Sequence, residues 1–118
     1  MTDTTPHVHE LNLFRRYFDL VAAGRKSIEV RVRYPHLEDL AAGHLIRFRI
    51  KGTEETCEVR VTRVAEYPDF EALLDGEEPA NINPTASREQ QLTNIRTIYP
   101  PKKEALGALA IGIELVEP

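Results

Sequence analysis

Tryptophan is absent from the 118-residue chain, cysteine and methionine each occur once, and aromatic residues make up 7%. The single cysteine, Cys57, excludes an internal disulfide framework and fits a reducing, cytoplasmic setting. In a run rich in Glu, Val and Thr it reads as a small core filler rather than a nucleophile. No stretch of about 18 apolar residues occurs, so no helix that spans a membrane is expected. Met1 to Glu10 is polar and carries no apolar leader region, which argues against secretion. Internal repeats and low-complexity tracts are also missing. Positive charge is in deficit too: the net charge is −4, which excludes a protein that coats nucleic acid without discrimination.

The charge that is present is unevenly placed. Residues 1–51 carry nine Lys/Arg against six Asp/Glu, whereas residues 52–118 carry six against thirteen. A basic patch on an acidic body suits a bounded anionic ligand better than a long polyanion. At 42% hydrophobic and 29% charged, the composition is that of one ordinary globular domain, placed at residues 8–116 behind a frayed tail of residues 1–7.

Periodicity sets the expected elements. Val8 to Leu13 reads as a strand. Phe14, Tyr17, Phe18 and Val21 recur at helical spacing, and Gly24 stands where a left-handed helix cap is needed. From Ser27 to Arg33, apolar and polar residues alternate strictly, so Glu29, Arg31 and Arg33 share one strand face while Ile28, Val30 and Val32 share the other. Further strands are expected at Leu45–Ile50, Glu58–Glu66 and Ala108–Val116. The face Ala108-Ala110-Gly112 of the last strand is small enough for another element to approach closely. Pro68-Asp69 opens a helix bearing Phe70, Leu73 and Leu74; residues 76–84 read as a loop. Ser87 with Gln90 forms a capping box for a helix presenting Leu92, Ile95 and Tyr99. Five short strands, each with one apolar face, predict an α+β fold: a small, partly closed mixed β-barrel with two or three flanking helices.

The chemistry concentrates at Lys26, Glu29 and Arg31. A carboxylate and a guanidinium two apart on a strand lie about 7 Å apart at their roots and can pair or share a ligand. Lys26 stands at the strand's mouth, where a desolvated lysine can serve as a base. Arg31 offers a planar fork for phosphate or a base edge, and Glu29 can accept from an exocyclic amine. As an exposed pair, Glu29 and Arg31 would contribute only about 0–1 kcal/mol. Arg33, Tyr34 and Tyr99 are candidate rim residues, and Ser87 is either a further ligand contact or only a cap. Tyr17 and Tyr67 are read as core packing. His7, His9, His36 and His44 show no zinc-ligand spacing, so no metal and no cofactor are expected.

Gly24-x-Lys26-x-x-Glu29-x-Arg31 fills all four positions of G-x-K-x-x-E-x-R, the signature of the ASCH (activating signal cointegrator homology) domain, and the chain resembles that family over residues 8–116. The helix before Gly24, Leu40-x-x-Gly43, Tyr67-x-x-Phe70, the Ser87 cap, Ile98-Tyr99 and the final strand are similar in order and spacing. The resemblance implies a PUA-like barrel with a cleft beside the signature that binds RNA or a nucleotide-like ligand. It also implies an alternative, a hydrolase acting on single-stranded RNA or on an amide of a modified nucleoside, with Lys26 and Glu29 as acid–base pair. One branch is an acetylcytidine amidohydrolase using a lysine, a threonine and a glutamate. Lys26 falls on its lysine, but Glu29 stands at the threonine position and Asn81-Ile82-Asn83 near the glutamate, so that activity is not carried over. The family's Gly-Asp is Gly43-His44 here. A second alternative is a protein-interaction module using the acidic residues Glu54, Glu55, Glu77 and Glu78.

Overall fold

The computed structural model describes residues 7–116; residues 1–6 of the expected tail lie outside the described residues. Strands β1 (Val8–Leu13), β2 (Ile28–Val32), β3 (Leu45–Ile50), β4 (Thr56–Tyr67) and β5 (Ala108–Leu115) form one curled sheet in the order β1-β3-β4-β5-β2. β1 runs parallel to β3, and the other pairs are antiparallel. Helix α1 (Arg15–Ala22) joins β1 to β2, while α2 (Phe70–Gly76), α3 (Pro79–Ile82), α4 (Arg88–Ile98) and α5 (Pro101–Glu104) separate β4 from β5. This is the expected α+β half-barrel. The differences are local: one helical turn, α3, interrupts the expected loop at 76–84, and another, α5, follows Pro100. Both begin on proline, whose fixed φ and missing N–H suit a first helical position. Among the described residues, no helix is long and apolar enough to cross a membrane.

Two cores lie on opposite faces of the sheet. Phe18, Val21, Ile46, Phe48, Val59, Val61, Leu109, Ile111 and Ile113 fill the concave side. Ile28, Val30, Val32, Ala108 and Ala110 meet Phe70, Leu73, Leu74 and Ile95 of α2 and α4 on the other. The small residues of β5 make that second core possible. At Gly112 a Cβ would come within 2.5 Å of the Thr62 hydroxyl and 2.9 Å of Arg63 Cγ, where β4 carries a bulge. The strand is therefore buried on both faces over most of its length.

Register then decides what β2 presents. Glu29 pairs with Ile111 and Arg31 with Leu109, so both side chains share the concave face with the first core. β1 and β2 are the sheet's two edges, and the Arg31 guanidinium donates to the Asn12 carbonyl of β1 at 2.6 Å. One side chain thus spans the seam at which the barrel stays open, using an edge carbonyl that the sheet leaves unpaired.

The candidate ligand cleft

Lys26 reaches its position because α1 ends abruptly. Gly24 adopts φ +72°, and the Arg25 and Lys26 amides both turn back onto the Leu20 carbonyl at 2.9 and 3.1 Å. The ammonium then points inward. It donates to the Ile28 carbonyl at 2.8 Å and the Ile82 carbonyl at 3.0 Å, and it lies 3.3 Å from Glu29 Oε1. Ile82 ends α3, so its carbonyl has no helical partner and is free to accept. Arg31 Nε donates to Glu29 Oε2 at 2.8 Å. Lys26 and Glu29 are only 5% and 4% exposed, so they are not the surface pair that the spacing alone would also allow.

Burial alone would raise the Glu29 pKa; Arg31 and then Lys26 outweigh it and hold the carboxyl below its ordinary value. For Lys26, burial is the largest influence and pulls its pKa down, with Glu29 opposing. Burial would also lower Arg31, but Glu29 and Tyr99 keep it charged. With all three groups ionised the floor carries net +1. The three ammonium protons of Lys26 have three acceptors, so it acts foremost as the anchor of Glu29. Arg31 spends two of its five donors on Glu29 and Asn12, and Tyr99 stands beside the guanidinium.

Above this floor is a cavity of about 210 Å³ between β2, the start of α1, and α4. Its walls include Leu13, Phe14, Tyr17, Ile95, Ile98 and Tyr99, with Asn83, Gln91 and Asn94 supplying polar groups. Beyond Tyr17, Asn83 and Asn94 it continues onto a shallow polar shelf lined also by Arg16, Thr85 and Gln90. Gln91 is 2% exposed; its amide nitrogen lies 2.8–3.2 Å from the Pro79, Asn83 and Ala86 carbonyls. Its carbonyl oxygen is buried without a partner among the described residues. A buried acceptor left alone costs about 1–3 kcal/mol, which a donor on a ligand would offset.

Lys26, Glu29, Arg31 and Tyr99 therefore converge as expected. Three other expected site residues do not. Arg33 is exposed and pairs with Glu66 at 3.2 Å, because its alternation carries it past the end of β2 and out of the cleft. Tyr34 turns to the second core, stacked on His36 and tilted against Tyr99. Ser87 only caps α4: its hydroxyl accepts from the Gln90 amide at 3.2 Å, and the Gln90 side chain accepts from the Ser87 amide at 2.8 Å.

Conversely, Tyr17, read as core, lines the cleft with the Arg16 guanidinium 4.8 Å and the Lys26 ammonium 5.7 Å from its ring centre. Phe14, read as the first residue of the buried helical stripe, caps α1 from outside it and stands 57% exposed at the cleft mouth. Gln91 was legible in part: it precedes Ile95 by four, a polar residue on an apolar helix stripe. His7, His9 and His44, which show no zinc-ligand spacing along the sequence, come together at the far end of β1.

A hypothetical protein, PH0355, is similar to this chain in its crystal structure at 29% identity and a TM-score of 0.83, covering 92% of this chain and 99% of its own. Protein PF0455 from Pyrococcus furiosus is similar at 28% identity and a TM-score of 0.74, covering 94% and 99%. The ASCH domain from Lactobacillus crispatus shares the fold at 11% identity and a TM-score of 0.70, over 92% of this chain and 79% of that one. Among curated proteins, none matches. The ASCH domain model matches residues 11–117, nearly the whole chain, and the protein therefore belongs to the ASCH domain family.

Proposed function

We propose that the protein binds RNA or a nucleotide-like ligand by taking one base into the cleft above Lys26, Glu29 and Arg31. The observation that carries this reading is the combination of a buried charged floor and an aromatic wall in one cavity, with Gln91, whose buried side-chain oxygen has no partner among the described residues, in its lining. Each part answers one part of a nucleotide. Tyr17, Phe14 and Ile98 offer flat apolar surface for a base. The Gln91 oxygen accepts from an exocyclic amine or ring N–H. The Arg31 guanidinium meets a base edge or a phosphate, and Arg16 on the shelf meets the backbone that leads away. At about 210 Å³ the cavity is smaller than the roughly 300–1,000 Å³ of pockets for drug-sized ligands, room for a base or nucleoside and not for a strand.

The hydrolase reading of the same residues has one observation in its favour, the burial that lowers the Lys26 pKa toward that of a base. Against it, all three protons of the ammonium are engaged. Binding of labelled single-stranded oligoribonucleotides and of nucleosides separates these readings. We expect saturable binding with a log–log salt slope of about −2, from two or three phosphate contacts. Tyr17→Ala is expected to weaken it by about 1–3 kcal/mol, and Arg31→Lys to weaken it while leaving the fold intact. Equal affinity in wild type and both variants removes the binding reading. Turnover of RNA or nucleoside amide that is lost in Lys26→Met replaces it with the catalytic one.

A further inference from the structure

The cavity, the exposed ion pairs and the lone Cys57 are each accounted for by the cleft or by ordinary packing; the histidine cluster is not. His7 precedes β1 and His9 lies within it, two apart and hence on one face. His44 precedes β3, and the parallel register sets it beside His7, whose carbonyl accepts from the Leu45 amide at 2.8 Å. The three rings lie against one another, with centroids 4.2, 5.0 and 5.2 Å apart. One nitrogen from each lies within 4.8 Å of the other two, and His9 Nε2 is 3.0 Å from His44 Nδ1. Asp39 brings a carboxylate oxygen to 3.5 Å from His7 Nδ1.

From this geometry we propose a binding site for a divalent transition metal of the zinc class, ligated by His7, His9 and His44 with Asp39 as the adjoining carboxylate. Imidazole suits zinc, cobalt, nickel and copper, whereas calcium and magnesium take oxygen ligands. Metal–nitrogen bonds of about 2.0–2.1 Å in a tetrahedral shell place ligand nitrogens about 3.4 Å apart. The His9–His44 pair stands near that separation already, and side-chain rotation of His7, which is half exposed, closes the third distance. Asp39 is placed either to complete the shell or to orient the His7 ring, as carboxylates beside metal-bound histidines do.

The site has a mechanical role. β1 is an edge strand paired with β3 alone, and 31 residues separate the two with no hairpin between them. A metal joining residues 7 and 9 to residue 44 clips that edge closed. It stands toward the opposite end of β1 from Asn12, with His9 about 10 Å and His7 about 17 Å away along the strand, and none of the three histidines lines the cleft.

The test uses the untagged full chain. Zinc is titrated against a chromophoric chelator, and cobalt substitution is followed by visible absorption. We expect one metal per chain, an intense tetrahedral cobalt spectrum, and a melting temperature that rises with zinc. His7→Ala and His44→Ala, at exposed and half-buried positions, should each weaken binding about tenfold or more; His36→Ala, stacked on Tyr34 and outside the cluster, should not change it. Absence of saturable binding, or equal affinity in His44→Ala and wild type, overturns the proposal. So does a loss of the same size in His36→Ala. Imidazole nitrogen shifts of His9 on zinc addition to the wild-type chain provide a readout that needs no variant to fold, and their absence is equally fatal.

Discussion

The two faces of β2 are both buried, and they are buried for different reasons. Ile28, Val30 and Val32 are covered by α2 and α4 and make the ordinary contact of strand with helix. Glu29 and Arg31, one residue out of phase, are enclosed because the sheet curls until its edge strands face each other across a seam. The first face gains stability by leaving water. The second gains little: the desolvation of three charges is offset only by their mutual pairing and by the Ile28, Ile82 and Asn12 carbonyls. A polar group so expensive to bury, beside an apolar cavity, is what the binding proposal rests on.

Four measurements sharpen this contrast, in falling order of expected effect. Glu29→Ala leaves two buried cations facing each other and should cost about 3–5 kcal/mol in urea unfolding. A cost below about 1 kcal/mol would mean the pairs are no better than surface ones. On the apolar face, Val32→Ala should cost about 2–3 kcal/mol, and the two faces should also differ in their response to acid. The Glu29 carboxyl lies below its ordinary value of 4.5 in the fold, so its contribution is present above that value and fades as pH falls through the folded pKa. The stability of Val32→Ala should therefore follow the wild type in parallel between neutral pH and pH 3, while that of Glu29→Gln should fall less steeply. Glu77 beside Arg63 and Glu104 beside Arg96 are depressed in the same direction, but they are common to all three proteins and cancel in the comparison. Coincident slopes would show that Glu29 is not held ionised. The smallest effect belongs to Ser87→Ala, which should cost about 1 kcal/mol through the cap and leave oligonucleotide binding unchanged. A change in binding would return Ser87 to the site.

Much of this was open to a reading of residues. The alternation from Ser27 to Arg33 put Glu29 and Arg31 on one face, and the small residues at 108, 110 and 112 announced a close neighbour. What stayed hidden depends on closure in three dimensions. Tyr17 is flanked by Phe14 and Phe18 at helical spacing, so its stripe resembles core; only the placement of α1 over the seam turns it to the cleft. Ile82 contributes through a backbone carbonyl, which carries no sequence signal. His7 and His44 are 37 positions apart and meet through a parallel register that no local spacing encodes.

Local alternation and the Gly24 turn, by themselves, determined that an ammonium, a carboxylate and a guanidinium would emerge together at one strand, because side-chain period and positive φ are properties of neighbouring residues. Whether those charges would meet water or be enclosed, which aromatic would roof them, and which histidines would touch were decided only when distant strands paired and the sheet curled. Burial is a property of the whole surface, and it fixes both the strength of a charge pair and the chemistry it can do.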